Sequence, residues 1–425
     1  DCLTPKYLGS TVWPLFRKCL GRGEVNVNRS SVIGILVALS LLAAACGDDE
    51  ESAPSTLKIG YAADFSDLGG FADMPASEAG KHFVALVNCA GGIDPNNGID
   101  IDVVLATDLD NCEDLSGTTL ELTVENIAGD PEVTQRASQS LIDAGVSALL
   151  GPAFPDFGEP LLQVAAGEIP VLFVASTEPL LADASILAYL VAFDDTAQAS
   201  AAAEFALDQG WSTAVTFSAP GPYFGYNPEV FTEVFTSGGG SVVADYNFVP
   251  IEDMDFSSQV NEMAAGGQAP DVVYSAMLSF QSAVLRGQLD GAGVTTNYLV
   301  TDAFEATGGY FTDGVEGFYH TTHSFPSEGS RIKALADSYE TAHGAPLENA
   351  SFGGLAVDAI AVVIDAFVRT KSTDPKVLGD AIAEAQGVHG ATGDLTYVGT
   401  SGIPDKPVYV HRVVGGAPTL VATID

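Results

Sequence analysis

The chain has 425 residues, 47% of them hydrophobic and 17% charged, which is too long for one ordinary domain and ample for two. Its charge is lopsided: 16 basic against 56 acidic residues, a formal net charge of −40. Such a surface repels phosphate backbones and anionic lipid, which excludes nucleic-acid binding and leaves a covalent anchor as the route to a membrane. The acidic excess reads first as a solvated, salt-adapted surface and second as an attraction for cationic ligands.

The first 45 residues predict a leader. Ser31 to Ala45 (SVIGILVALSLLAAA) is an apolar run behind Arg29, shorter than a membrane span and built like a signal peptide. Leu42-Ala43-Ala44-Ala45-Cys46 resembles the lipobox of bacterial lipoproteins, with Ala43 where Leu is usual. The resemblance implies a diacylglyceryl group on Cys46, followed by a polar tether over 46–54 (CGDDEESAP). No Met precedes Met74, and the expectation is that translation starts at Val25 or Val27. Of the five cysteines, Cys2 and Cys19 fall in the leader. Cys89 and Cys112 remain as an even pair in an oxidising compartment, which favours a disulfide over two buried free thiols. No metal or cofactor site is expected.

Beyond the tether, strands and helices alternate. Strands are predicted at Leu57–Ala62, Leu120–Val124, Val146–Leu150 and Pro170–Val174, with helices at Pro75–Asn88 and from Asp130-Pro131, where Asp caps and Pro fits the first turn. A second series has strands at Thr213–Ser218, Ser241–Tyr246, Asp271–Ser275, Tyr298–Thr301 and Gly317–Thr321. Its helices are Thr196–Asp208, Asn227–Phe235, Phe256–Ala265 and Ser279–Asp290. Helices at Gly354–Arg369 and Pro375–Ala385 and strands at Asp394–Tyr397 and Val408–Val413 complete it. Alternation of this kind means parallel sheets covered on both faces. Two series give an α/β fold of two doubly wound, Rossmann-like lobes with a cleft at the carboxyl ends of the strands.

Several segments, in this order, resemble the type I periplasmic binding proteins of the branched-chain amino acid ABC-transporter group. They are LKIGYAADFSDLGG, LVNCAGGI, GDPEVTQRASQSLIDAGVSALLGP, DFSSQVNEMAAGGQAPDVVYSA and GATGDLTYVGTSGIPDKPVYVHRV. Residues Ile93 to Gly117 read as an insertion relative to that family, with Cys89 and Cys112 at its edge, which adds support for the disulfide. The resemblance implies three chain crossings between the lobes, near Val191, Thr322 and Leu395. Lobe one would comprise 55–192 plus 326–394, and lobe two 193–325 plus 395–425.

The same resemblance implies a ligand set. Ala175-Ser176-Thr177 matches a loop that grips a carboxylate, and Thr177 could equally cap a helix. The neighbouring loop departs from the family: Ala153-Phe154-Pro155-Asp156-Phe157 lacks the usual serine, and Pro155 has no amide hydrogen. Phe154 and Asp156 enter the candidate set from that loop. Asp302 matches an acidic position that binds the ligand's amine, Tyr223 and Phe224 match an aromatic cover, and Phe71 sits in the first cleft loop. Asp64 and Asp67 lie in that loop and are expected to face solvent. His320 and His323, three apart, point to different faces and offer no metal site. The implied function is an extracytoplasmic receptor, a monomer with no enzymatic activity. It delivers a small amino acid or related polar metabolite to ABC permease subunits. The alternative is a sensing module of the same fold for an amide, urea or cationic solute.

Overall fold

The computed structural model describes residues 55–425, except residues 68, 267 and 268 and the side chains of residues 307, 308, 310 and 311. The leader, the lipobox cysteine and the tether lie outside the described residues.

The first half of the fold is built from β1 (Thr56–Ala63), α1 (Gly70–Cys89), α2 (Ile101–Leu105), β2 (Thr119–Asn126), α3 (Pro131–Asp143), β3 (Ala148–Gly151), α4 (Pro155–Ala165), β4 (Val171–Phe173) and β5 (Ala188–Leu190). Its five strands run parallel in the order β2-β1-β3-β4-β5. β3, β4 and β5 are buried throughout, as expected of strands with helices on both faces.

The second half contains α5 (Asp195–Asp208), β6 (Thr213–Ser218), α6 (Pro222–Ser237), β7 (Ser241–Asn247), α7 (Ser257–Ala265), β8 (Val272–Ser275), α8 (Ser279–Gly291), β9 (Asn297–Val300) and β10 (Tyr319–Thr322). A 3-10 segment, Asp302–Phe311, follows β9. The chain then returns to cover the first sheet with α9 (Arg331–His343), α10 (Ala350–Thr370) and α11 (Pro375–Ala383), and a short ladder pairs β11 (Val388–His389) with β12 (Asp394–Leu395). It ends as the hairpin β13 (Val408–Val414) and β14 (Ala417–Ile424). The second sheet has seven strands in the order β14-β13-β10-β9-β8-β6-β7, with β13 and β14 antiparallel.

α10 is long and apolar enough to cross a bilayer, but 89% of its apolar window is buried against the first sheet's core, and its apolarity serves packing. Two helices begin earlier than the sequence predicts, each across a proline. Pro75 lies inside α1, and the Phe71 carbonyl it leaves without a helical donor receives the Asn349 side-chain amide at 2.8 Å. Pro228 lies inside α6, where the Phe224 carbonyl accepts the Ala219 amide at 3.2 Å. α4 and α9, absent from the sequence reading, start at Pro155 in the first helical position and at Ser330, whose hydroxyl accepts the Lys333 amide.

Cys89 and Cys112 form a disulfide, with Cα atoms 4.4 Å apart. It staples the extra loop to the end of α1. Arg331 grips the same loop from the other side, its Nε donating to Asp102 Oδ1 at 2.7 Å.

Residues after β12 stay with the first sheet. The Leu190 amide donates to the Gly402 carbonyl at 2.9 Å, and the Tyr397 hydroxyl to the Leu190 carbonyl at 2.7 Å. Lys406 Nζ reaches Asp358 Oδ2 on α10 at 2.7 Å, both side chains almost wholly buried. The chain enters the second sheet only at Val408.

Candidate functional site

The carboxyl ends of strands from both sheets surround one cavity of about 240 Å³. Most of the wall follows strands: Phe71 comes after β1, Ala153–Asp156 after β3, Ala175–Glu178 after β4, Pro220–Phe224 after β6, Leu278 after β8, and Asp302 and Ala303 after β9. This is where open α/β sheets place their ligands. All eight candidates read from the sequence line it: Phe71, Phe154, Asp156, Ala175, Thr177, Tyr223, Phe224 and Asp302.

Three of these stand differently from expectation. Phe71 is in the first turn of α1 rather than in a loop, and its ring meets those of Phe154 and Phe352 at centroid distances of 6.2 and 5.4 Å. Thr177 caps no helix; its hydroxyl donates to Asp195 Oδ1 at 2.7 Å, and Glu178 beside it caps the short 3-10 turn Pro179–Leu181. Pro155 and Asp156 belong to the start of α4 rather than to an open loop.

Asp302 is the electrostatic centre. Gln198 Nε2 donates to its Oδ1 at 2.7 Å, the Tyr223 hydroxyl donates to the same oxygen, and His323 Nε2 lies 3.0 Å from Oδ2. Burial pushes its carboxyl up, but the His323 contact, followed by Tyr223 and Gln198, more than offsets this and holds it below the usual range. The Tyr223 phenol is pushed well up by burial and then by the charges of Asp302 and Asp195. Burial drives the Asp195 carboxyl well above its ordinary value, in spite of hydrogen bonds from Thr177 and Asn227.

The first cleft segment also differs from expectation. Asp64 does not face solvent: it is fully buried, and its carboxylate accepts the Ser66 amide and hydroxyl. Asp67 is exposed. Asp73, not singled out in the sequence, is fully buried and accepts from the Tyr61 hydroxyl at 2.8 Å, the Asp64 amide at 2.7 Å and the Ala153 amide at 3.1 Å. Burial raises its carboxyl to about 8 in spite of these donors.

Glu178 and Phe352 also line the cavity and escaped the sequence reading. Glu178 adjoins Thr177, and the Ala175–Thr177 loop was its only available pointer. Phe352 arrives from α10, far along the chain. His320 and His323 part as expected: His323 turns to Asp302, and His320 faces its cross-strand neighbour His411. With Glu305 they make a buried group whose ligand-type atoms lie within 4.8 Å of one another, a donor set suited to a transition metal. Burial lowers His320 to about 4 and His411 to about 2, so both imidazoles are neutral. Cross-strand pairing of residues 91 positions apart left no local signal for this group.

Two α/β lobes sharing one inter-sheet cleft define a solute-binding receptor. The family described as "Periplasmic binding protein" matches residues 56–417, and the chain belongs to it. It is an extracytoplasmic ligand-binding protein. Among solved structures, it is similar to a leucine binding protein from Thermotoga maritima (22% identity, TM-score 0.69, covering 87% of this chain and 99% of that one). It is also similar to the branched-chain amino acid transporter substrate-binding protein from Streptococcus pneumoniae in complex with isoleucine (18%, 0.70, 87% and 99%). A third is the ABC-transporter solute-binding protein from R. palustris in complex with benzoate (17%, 0.67, 87% and 96%). No curated protein matches the chain.

Proposed function

We propose that this chain captures one small polar metabolite between its lobes and hands it to the permease subunits of an ABC importer. One observation carries the reading: residues following strands of both sheets, Thr177 and Phe154 on one side and Tyr223 and Asp302 on the other, converge on a single small cavity. Contacts made to both walls at once favour a closed form over an open one, which is the basis of hinge closure. We place the crossings near Val191, Thr322 and Pro407. The third lies later than Leu395 because residues 397–406 hydrogen-bond to β5 and α10. Asp302 anchors an amine of the ligand: a carboxylate has about four acceptor positions, and three are taken. Isoleucine in one relative and benzoate in another support a metabolite-sized ligand without choosing between them. The segment Ser31–Cys46 supports export and lipid anchoring through Cys46.

A thermal-shift and calorimetric screen over amino acids, amides, amines and small carboxylates tests this, with small-angle scattering to read closure. A ligand at 100 times its Kd adds about 2.7 kcal/mol of stability, and a bound ligand compacts the chain. Asp302→Ala removes the response to an amine-bearing ligand. Absence of any stabilising solute, together with no compaction, overturns the proposal.

A further inference from the structure

The chemistry of the cavity wall narrows the ligand further, an inference that rests on the receptor reading above. Three carboxyl groups line the cavity, Asp156, Glu178 and Asp302, and no Lys, Arg or His does so among the described residues. Glu178 is the telling one. It is 6% exposed, and its Oε1 is engaged by the Leu180 amide at 3.0 Å. Its Oε2 is buried with no hydrogen-bond partner among the described residues. A withdrawn carboxylate oxygen without a donor is costly, and a donor brought by a ligand relieves that cost.

The means of holding an anion are reduced on the same wall. The Ala153 amide, first in its loop, is spent on Asp73. Pro155 occupies the first position of α4 and has no amide hydrogen, so that helix start offers one donor fewer to a carboxylate. Ser176 keeps a hydroxyl on this wall, with no partner for its Oγ among the described residues, and five aromatic rings, those of Phe71, Phe154, Tyr223, Phe224 and Phe352, border the space. Ring faces carry negative potential and attract cations, most strongly where water is excluded.

We propose that the cleft takes an organic cation, a ligand with an ammonium or amidinium head and no free carboxylate, with Glu178 and Asp302 as its charge partners and the aromatic rings around its stem. A zwitterionic amino acid adds a carboxylate to a cavity already lined by Asp156, Glu178 and Asp302, so its affinity falls below that of the matching amine.

The test compares matched pairs on the full-length chain by isothermal titration calorimetry at low salt: isopentylamine against leucine, cadaverine against lysine, and benzylamine against benzoate. The expected result is binding of at least one amine, about tenfold or more tighter than its carboxylate-bearing partner. Glu178→Gln keeps an acceptor for the Leu180 amide and removes the charge, and it weakens amine binding about tenfold. Asp156→Asn, on the exposed rim, weakens it less and serves if the first variant does not fold. Leucine or benzoate binding as well as or better than the amines overturns the cation assignment and leaves the receptor intact. Failure of all six compounds to bind also overturns the cation assignment, and the broader screen with scattering then decides the receptor reading separately.

Discussion

His323 Nε2 lies 3.0 Å from Asp302 Oδ2, and the two side chains are 1% and 8% exposed. The imidazole also stacks on Phe193 at a centroid distance of 4.4 Å, so ring packing as well as the polar contact holds it in place. Asp302 therefore stands in the cavity wall as a carboxylate already fixed in direction.

The depressed Asp302 carboxyl has a pH signature. A carboxyl group held below its ordinary range stabilises the fold above that range, and the contribution is lost as pH falls through the depressed value. Asp302→Asn is expected to cost about 2–3 kcal/mol at pH 7, because His323 loses a charged acceptor. The difference from the parent shrinks as pH falls below the ordinary carboxylate value. Urea unfolding of both proteins from pH 7 to pH 3 checks this; a difference that stays constant over the range contradicts it.

Asp73 has the opposite sign. Its carboxyl rises from 3.8 to about 8, so the folded state holds a proton that the unfolded chain has released. The Asp73 contribution to stability is fullest at acid pH and falls as pH climbs from about 4 to about 8, by at most about 1.4 kcal/mol per unit. Asp73→Asn removes that slope. It also lowers the general level by about 1–2 kcal/mol, because an amide nitrogen then faces the Asp64 amide. Stability measured against pH in the two proteins separates slope from level.

The Cys89–Cys112 bridge closes a loop with a sequence separation of 23. Loop-closure entropy gives it about 3 kcal/mol. Cys112→Ser and the parent protein under reductant should lose stability by similar amounts, with ligand affinity unchanged because the bridge lies outside the cavity wall. A loss of binding in the folded variant would show that the staple reaches the site.

Lys406 and Asp358 form a buried ion pair, extended by Thr392 Oγ1 and by the Ala391 and Thr392 amides on the same carboxylate. Lys406→Met leaves Asp358 buried without its cation and is expected to cost about 3–5 kcal/mol. Replacing both, as Lys406→Met with Asp358→Leu, recovers part of that loss. Chemical unfolding of the single and double variants measures the difference.

Much of the architecture was legible because its cues are local. Asp130 and Asp374 accept amides of the turns they precede, in the Asp-Pro arrangement that the sequence displays. What stayed hidden is settled by distant partners. A proline inside a helix reads as a break, yet α1 runs through Pro75 because Asn349, remote in sequence, supplies the donor for Phe71. α9 buries only Ile332, Leu335 and Tyr339, a narrow apolar stripe among charges that reads as a loop. β14 alternates half-buried and exposed residues at a sheet edge, a weak pattern for its length.

The site divides in the same way. The resemblance carried the eight candidate lining residues because they fall in segments that follow strand ends in a fixed order. Asp73 and Glu178 were invisible because their importance lies in burial: one consumes the Ala153 amide, and the other is left with an oxygen facing no donor. Neither fact can be read from residue type or spacing.

The Lys406 anchorage has a mechanical consequence for closure. Lys406 is fastened to α10, and Val408 already belongs to β13 of the other sheet, so Pro407 alone spans the gap. Its ring locks φ near −65°, which removes one of the two torsions a residue would contribute to a bend. In the closure proposed above, this crossing is a short, stiff flexure: rotation there is carried by ψ of Pro407 and the torsions of its two tethered neighbours. The wide, compliant part of the proposed swing then falls to the crossings placed near Val191 and Thr322.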